Sequence, residues 1–272
     1  MMNIKYKKKK YKYKVKFGLM QGRLFPHKKE YNYFPSLWRE EFFLSNKMNI
    51  NFIELIYNNK NIKDNPLYYK NNYKLAYQVF SRKKKFYSLN LDYFTKENFL
   101  KNKKKSLKIL KKFFTICNKL KIKILVIPCI EKNFLNEREL LILVKEIKNI
   151  LNYNLKVSLE VNFTLAKTTI KTLAEKKIGI CMDTGNLSEK RINLVKFYKH
   201  HKKIINHIHI KDKKKIGSKY LNCMLGSGIV DFKSFFQEVD LKKNNHFTLE
   251  TFYGSNPINN LKLNLKFLKK YI

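Results

Sequence analysis

The hydrophobic positions of the chain fall into short runs rich in β-branched residues, separated by longer segments in which apolar residues repeat every three or four positions. The short runs predict buried strands, and the longer repeats predict amphipathic helices. The predicted strands are residues 15–19, 52–56, 86–91, 122–127, 156–160, 178–183, 205–210 and 247–251. Regular alternation of strands with helices indicates βαβ units and therefore a parallel sheet.

Eight strand–helix units in about 250 residues are typical of a (β/α)8 TIM barrel. The competing architecture is a doubly wound open sheet, but no G-x-G-x-x-G or G-x-x-x-x-G-K motif follows the first predicted strand. The pattern is interrupted neither by a linker rich in Pro, Gly or Ser nor by a sequence repeat. We therefore predict a single α/β domain over residues 14–272, preceded by a loose basic tail over residues 1–13.

The charge of the chain raises the question of a nucleic acid partner. Lys and Arg number 59 against 20 Asp and Glu, which gives a formal net charge of +39. Such a charge usually indicates a nucleic acid or an anionic membrane as partner. However, Arg, whose planar fork suits phosphates and base edges, is scarce, whereas Lys is spread along the whole chain. We interpret the charge as a drift toward AT-rich codons at tolerant surface positions and expect no specific nucleic acid partner.

The sequence also argues against a membrane protein and a secreted one. No run of 18 uninterrupted apolar residues is present. The basic segment 5–14 is followed by VKFGLMQGRLFP, in which Gln21 and Arg23 break the apolar run that a signal peptide requires. The four cysteines lie far apart without a C-x-x-C pair. We expect a reduced, cytoplasmic protein with no membrane partner, and the sequence leaves open whether it forms a homo-oligomer.

Candidate chemistry lies at the C-terminal ends of the last four predicted strands. The residues are Glu160 in SLEVN, Asp183 in CMDTGN, His209 in HIHIKD and Glu250 in FTLET. In a barrel these ends face one mouth, where the chemistry of this fold occurs. Carboxylates that converge there raise one another's pKa unless a cation neutralises them. Oxygen-rich ligation with one imidazole suits one divalent ion, which can be Mn²⁺, Mg²⁺, Co²⁺ or Zn²⁺. The alternative is that each acid caps the following helix, above all Asp183 in D-T-G-N.

The HIHIKD stretch alternates polar and apolar residues, so its polar side chains share one face of the strand. We expect His207, one layer deeper than His209, to be a buried hydrogen-bonding residue and not a ligand. Lys211, on the same face, is placed to bind a sugar hydroxyl or a phosphate. A solvated lysine is the alternative in so lysine-rich a chain.

Seven short motifs together resemble a known family. They are GLMQGRLFP, FPSLWREEF, NFIELI, SLNLDYF, GICMDTGN, HIHIKD and LGSGIVDF, at residues 18–26, 34–42, 51–56, 88–94, 179–186, 207–212 and 225–232. In this order and spacing they resemble the sugar phosphate isomerase/epimerase family of the xylose-isomerase-like TIM barrels. That group also includes ketose 3-epimerases, inosose dehydratases and, more distantly, abasic-site endonucleases. The resemblance runs from about Val15 to the C-terminus.

The resemblance implies one divalent metal ion held by Glu160, Asp183, His209 and Glu250, the residues already collected from the strand ends. It further implies a small-molecule sugar or sugar phosphate as substrate, with proton abstraction next to a metal-bound carbonyl through an enediolate. Glu160 and Glu250 would transfer the proton on opposite faces, which inverts one carbon. A single glutamate that removes and returns the proton would give aldose–ketose isomerisation instead. An inosose-type dehydration uses the same site and remains the alternative.

Six further residues are candidates for binding substrate hydroxyls, with helix capping as the alternative. They are Gln21, Arg23, Glu54, Asp92, Asn186 and Lys211. Asn186 stands where some relatives carry a histidine, and Ser227 replaces an acid often present between two glycines. Both are departures from the family pattern.

Two other functional classes fit the sequence less well. An abasic-site endonuclease of this fold needs a three-zinc cluster with histidines from early strands, yet no histidine lies between His27 and His200. The D-x-H element expected after HIHIKD is also missing. A barrel that only binds its ligand is disfavoured because Glu160 and Glu250 are both present.

Overall fold

Eight parallel strands close into a barrel in a computed structural model that describes residues 14–27, 31–58, 65, 67–68, 86–151 and 154–272. The barrel strands are β1 Lys16–Met20, β2 Phe52–Ile56, β3 Phe86–Asn90, β4 Ile124–Pro128, β5 Lys156–Glu160, β6 Ile178–Asp183, β7 Ile205–Ile210 and β10 His246–Leu249. The predicted (β/α)8 fold is confirmed, and the strand bounds agree within two residues. The predicted basic tail, residues 1–13, lies outside the described residues.

Helices between the strands surround the barrel. Within the described ranges they are α1 Trp38–Lys47, α2 Tyr93–Lys96, α3 Lys103–Lys119, α4 Glu137–Ile150, α5 Lys167–Glu175, α6 Thr184–Glu189, α7 Leu194–His201, α8 Phe232–Glu238 and α9 Pro257–Leu268. A capping box of Asn136 and Glu139 begins α4. The apolar face of α4 buries Leu140, Leu143 and Ile147, as its spacing predicts. None of the helices in these ranges is long and apolar enough to cross a lipid bilayer.

The register of the barrel brings the candidate strand ends to one level. In the closed order β1-β10-β7-β6-β5-β4-β3-β2, Asp183 on β6 pairs with His209 on β7. Glu160 ends β5, and Glu250 directly follows β10 and donates its backbone N–H to the Ile210 carbonyl. Because all eight strands are parallel, these four residues lie at the same mouth of the barrel.

A hairpin that the sequence pattern did not predict follows β7. Its antiparallel strands are β8 Asp212–Ile216 and β9 Lys219–Cys223, joined by a turn in which Gly217 has φ +58°. Because β8 contains three consecutive lysines, it shows neither an alternation of polar and apolar residues nor a continuous apolar run, and the sequence pattern therefore does not predict a strand there. The Gly217–Ser218 pair between two short extended segments was the available signal.

A buried carboxylate on α1 holds the loop that follows β1. Glu41 is 0% exposed and accepts hydrogen bonds from the backbone N–H groups of Gly22 at 2.9 Å and Leu24 at 3.0 Å. Burial raises the pKa of Glu41 to about 7, although these hydrogen bonds favour its ionised form. Gly22 has φ +88°, and a Cβ there would lie 2.4 Å from the Tyr33 carbonyl oxygen. The Glu41 carboxylate therefore holds the backbone on both sides of Arg23 in place.

We expect Glu41→Ala to lower the free energy of unfolding by about 1–3 kcal/mol because it leaves buried N–H groups without an acceptor. Glu40→Ala is the matched control, since Glu40 is the preceding residue of the same helix and is exposed. Urea unfolding of both variants and the parent protein measures the difference. Equal unfolding midpoints for the two variants would contradict this role of Glu41.

Candidate metal centre and active site

Four side chains from different strands converge at the C-terminal mouth of the barrel. Asp183 and His209 are 0% exposed, and Glu160 and Glu250 are each 3% exposed. His209 Nδ1 lies 3.2 Å from Glu250 Oε2 and 3.9 Å from Asp183 Oδ2. Ligand atoms of Glu160, Asp183 and His209 all lie within 4.8 Å of one another. The structure thus brings together the four residues that the sequence collected from strand ends.

Two atoms of this cluster have no hydrogen-bond partner in the described part of the chain. They are Asp183 Oδ2 and His209 Nδ1, both buried. A buried polar atom without a partner costs about 1–3 kcal/mol, so two acceptors that face each other need a shared cation or proton. Oxygen donors with one imidazole nitrogen match the ligands of a hard or borderline divalent ion. The residues present therefore fit a metal ion.

Asp183 caps a helix and also directs a carboxylate oxygen toward His209, so the cap and the ligand role that the sequence left as alternatives are compatible. Its Oδ1 accepts the Asn186 backbone N–H at 2.6 Å and caps α6. Its Oδ2 is the unpaired atom and faces His209. The cap orients the carboxylate and leaves Oδ2 without a hydrogen bond, with Lys211 Nζ as a charged neighbour at 3.7 Å.

The tautomer of His209 is set by a carboxylate behind it. His209 Nε2 lies 2.9 Å from Glu54 Oε1 and donates its N–H to this carboxylate, which directs Nδ1 toward Glu250 and Asp183. The other oxygen of Glu54, Oε2, accepts from His207 Nε2 and from the hydroxyls of Ser88 and Thr248. Burial alone would raise the pKa of Glu54, but His209 and His207 hold it well below its usual range.

The two glutamates of the cluster have opposite electrostatic surroundings. Burial raises the pKa of Glu160 to about 8, and its Oε1 accepts from Asn186 Nδ2 at 2.8 Å. Burial acts on Glu250 in the same direction, but Lys211 and Arg23 help to hold the pKa of Glu250 well below its usual range. Lys211 Nζ donates to Glu250 Oε1 at 2.6 Å, and Arg23 Nη2 lies 3.6 Å from the same oxygen. Carboxylates with pKa values pushed apart are a common arrangement of acid–base sites.

A polar cavity of about 230 Å³ opens above the cluster. Its lining includes the predicted residues Asp92, Glu160, Asn186, Lys211 and Glu250. Burial raises the pKa of Asp92 to about 7, although Asn32 donates a hydrogen bond to it at 2.9 Å. A cavity of this size at the mouth of a barrel suits a small molecule.

Three of the predicted substrate-binding residues do not line this cavity. Gln21 is fully buried, and its side-chain oxygen accepts the Ile56 backbone N–H. Glu54 lies behind His209 and contacts side chains of the barrel interior. Arg23 donates to the Tyr31 carbonyl at 2.7 Å and to Asn32 Oδ1 at 2.6 Å, so it supports the wall of the cavity.

The structure adds cavity residues that sequence reasoning missed. Tyr31 and Asn32 come from the loop after β1, Asn90 ends β3, and Asn222 comes from the hairpin. The Tyr31 hydroxyl donates to the Glu250 carbonyl at 2.7 Å, and burial raises the pKa of Tyr31 to about 12. No pattern marked these residues, because Tyr and Asn are abundant throughout the chain.

Asp212 was also missed, and it fixes the loop after the hairpin. Its carboxylate accepts the backbone N–H groups of Gly226 at 2.9 Å, Gly228 at 3.0 Å and Val230 at 3.2 Å. A Cβ on Gly228 would lie 2.2 Å from Asp212 Oδ1, so this position requires glycine. The Asp212 carboxylate and Gly228 therefore shape the loop at 226–230 together.

A second group of residues able to hold a metal ion overlaps the first. Cys181, His207 and His209 are buried with ligand atoms within 4.8 Å of one another. This group shares His209 with Glu160 and Asp183, so the two are not independent sites. His207 bonds to Glu54, as expected for a buried hydrogen-bonding residue.

Comparison with known proteins agrees with this architecture. Residues 43–271 match the family described as xylose isomerase-like TIM barrel. The chain belongs to this family. None of the curated proteins compared matches it.

Solved structures of xylose isomerase-like barrels are similar over nearly the whole chain. An IOLI protein with a bound zinc atom superposes with a TM-score of 0.70 at 17% identity, covering 94% of this chain and 98% of that one. The probable 3-DHS dehydratase AsbF, involved in petrobactin synthesis in Bacillus anthracis, gives 0.66 at 16% identity, covering 94% and 99%. A D-tagatose 3-epimerase-like protein gives 0.63 at 15% identity, covering 94% and 97%. Identities this low establish the shared fold only.

We expect Glu54→Gln to weaken binding of Mn²⁺ or Co²⁺ by about 10- to 100-fold, because an amide holds the His209 tautomer less strongly than a carboxylate. Ser88→Ala is the matched control, since it removes one hydrogen bond to Glu54 and keeps both histidine contacts. Isothermal titration calorimetry measures both. Unchanged affinity in Glu54→Gln would refute the orienting role.

We expect divalent ions to raise the thermal stability of the parent protein, by about 2.7 kcal/mol at 100 times Kd. Asp183→Asn removes a charged ligand and should abolish this increase. Asp231→Asn is the control, because Asp231 caps α8 in the same way that Asp183 caps α6 but lies outside the cluster. Thermal unfolding with and without Mn²⁺ measures the effect, and an equal metal-induced shift in all three proteins would exclude Asp183 as a ligand.

Proposed function

We propose that this xylose isomerase-like barrel, as one catalytic domain over residues 14–272, is a divalent-metal-dependent isomerase or epimerase of a sugar or sugar phosphate. The observation that carries the proposal is the placement of Glu160 and Glu250 in one small cavity beside the unpaired atoms of Asp183 and His209. Two carboxylates with different proton affinities next to a cation site are what proton transfer at a carbon beside a carbonyl requires.

The metal ion would be held by Glu160, Asp183, His209 and Glu250. Its identity among Mn²⁺, Mg²⁺, Co²⁺ and Zn²⁺ is left open by this donor set. When bound, such an ion acts as a Lewis acid that polarises the substrate carbonyl and increases the acidity of the neighbouring C–H.

The residues of the chain divide the proton transfer between them. Lys211 and Arg23 keep Glu250 ionised, so Glu250 is suited to remove the proton. Glu160 is the last residue of β5 and lines the cavity from a different strand than Glu250, so Glu160 is placed to return a proton from another direction. Asn186 orients Glu160 through its amide. Transfer by both glutamates gives an epimer, whereas transfer by one of them alone gives an aldose–ketose pair.

We expect metal-loaded protein in D₂O to place deuterium on the carbon next to the carbonyl of its ketose substrate. Glu160→Gln and Glu250→Gln should each slow this exchange by about 10²–10⁴-fold, because each removes a proton-transfer group. Glu131→Gln is the control, since Glu131 lines the same cavity but is exposed at its rim. NMR or mass spectrometry over a panel of ketoses and ketose phosphates provides the readout. Exchange that persists in both active-site variants would eliminate the mechanism.

Dehydration is the second candidate, favoured by the dehydratase among the similar solved structures. It begins with the same proton removal by Glu250 and ends with loss of water from the neighbouring carbon. The same incubation distinguishes the two, because dehydration gives a product 18 mass units lighter (one water, H₂O) with a conjugated carbonyl that absorbs in the ultraviolet. A product that retains this water, and differs in mass from the substrate only by the deuterium on carbon, supports isomerisation or epimerisation.

A further inference from the structure

Two asparagines of the cavity have polar atoms that nothing in the described part of the chain satisfies. Asn90, at the end of β3, is 2% exposed, and its Oδ1 is buried without a hydrogen-bond partner. Asn222, on β9 of the hairpin, has a buried and unpartnered Oδ1 in the same way. Both side chains line the same cavity as Glu160 and Glu250. An unpaired buried acceptor is costly, so a ligand that fills the cavity gains by donating a hydrogen to each.

Two of the three lysines that line the cavity, and the arginine behind its wall, are already paired with protein groups. Lys211 donates to Glu250 at 2.6 Å, and Lys213 is hydrogen-bonded to Glu189. Arg23 is bound to a backbone carbonyl and to an amide oxygen. The remaining lysine of the lining, Lys96, is exposed at the rim.

A phosphate group fits this lining poorly. Near neutral pH it offers almost only acceptors, so it leaves the Asn90 and Asn222 oxygens unsatisfied. It would also have to compete with the Glu250 carboxylate for Lys211. A hydroxyl group donates one hydrogen bond and accepts others, so a chain or ring of hydroxyls matches the unpaired acceptors.

We propose that the ligand of this cavity is an unphosphorylated polyhydroxy carbonyl compound whose hydroxyls donate to Asn90 and Asn222. The inference rests on the proposed function for the carbonyl end and narrows it from sugars and sugar phosphates to neutral sugars. It also gives the hairpin a role, because Asn222 reaches the cavity only through that insertion after β7. Asn90 and Asn222 are then specificity-determining residues.

Binding of matched probes tests the proposal independently of catalysis. The probes are D-fructose, D-tagatose, D-fructose 6-phosphate and D-tagatose 6-phosphate, titrated into the full-length Mn²⁺-loaded protein by calorimetry. We expect the neutral ketoses to bind at least about 10-fold more tightly than their phosphates, because the unsatisfied acceptors and the competition with Glu250 for Lys211 weaken the phosphate complex. Tighter binding of the phosphates, or no binding of either neutral ketose, overturns the proposal.

Variants of the two asparagines locate the contacts. Asn90→Ala and Asn222→Ala should each weaken ketose binding by about 2- to 12-fold, the range for a neutral hydrogen bond. Asn222→Asp keeps an acceptor and should retain ketose binding while weakening phosphate binding further. Leu221→Ala is the matched control, because Leu221 precedes Asn222 on β9, is 47% exposed and points to the opposite face. Equal effects of Leu221→Ala and Asn222→Ala would remove Asn222 from the site.

The outcomes separate this inference from the proposed function. Preferential binding of neutral ketoses without deuterium exchange supports the ligand class and refutes the isomerase chemistry. Exchange with ketose phosphates alone supports the chemistry and refutes the ligand class.

Discussion

The mouth of this barrel is governed by the cost of burying charge. The ionisable side chains that are at most 6% exposed there include Arg23, Glu54, Asp92, Glu160, Asp183, His209, Lys211 and Glu250. A buried charge is tolerated only when it is paired or neutralised. Glu54 is balanced by hydrogen bonds from two histidines, and Glu250 by Lys211 and Arg23. Asp183 Oδ2, with Lys211 Nζ 3.7 Å away, lies near His209 Nδ1, and ligand atoms of Glu160, Asp183 and His209 lie within 4.8 Å of one another, a donor set that fits a divalent cation.

The sequence was informative about features that depend on strand position alone. Parallel strands of a closed barrel end at one mouth whatever the loops do, so the last polar residue of each strand could be placed without knowing the loops. This reasoning placed Glu160, Asp183, His209 and Glu250 at one mouth, where the structure has their side chains close together. It could not find the pairing of Glu54 with His207, because the two residues are 153 positions apart and meet only inside the closed barrel.

The loop residues that line the cavity could not be predicted from the sequence, for a different reason. Tyr31, Asn32 and Asn222 reach the cavity through segments whose direction no hydrophobic period determines. In a chain with 17 Tyr and many Asn, their residue types carry no signal. Lysines are also too abundant for their residue type to mark a site. Lys214 and Lys215 of the hairpin are exposed, whereas Lys211 is buried and forms an ion pair with Glu250. A lysine count therefore describes the surface, and only burial distinguishes the lysine that belongs to the site.

One strand and the residues that follow it carry much of the organisation of the site. On the inner face of β7, His207 and His209 both form hydrogen bonds with the Glu54 carboxylate. The other ring nitrogen of His209, Nδ1, faces Glu250. Lys211, two positions further, reaches Glu250. The next residue, Asp212, accepts hydrogen bonds from backbone N–H groups of the loop at 226–230. These bonds close the base of the β8–β9 hairpin, which lies between Asp212 and that loop. Because side chains alternate along a strand, a shift of one residue in the register of β7 would exchange these polar groups for Ile208 and Ile210. The apolar contacts of those two isoleucines with the surrounding core thus hold the polar face in place, and folding and site assembly at β7 depend on the same alternation.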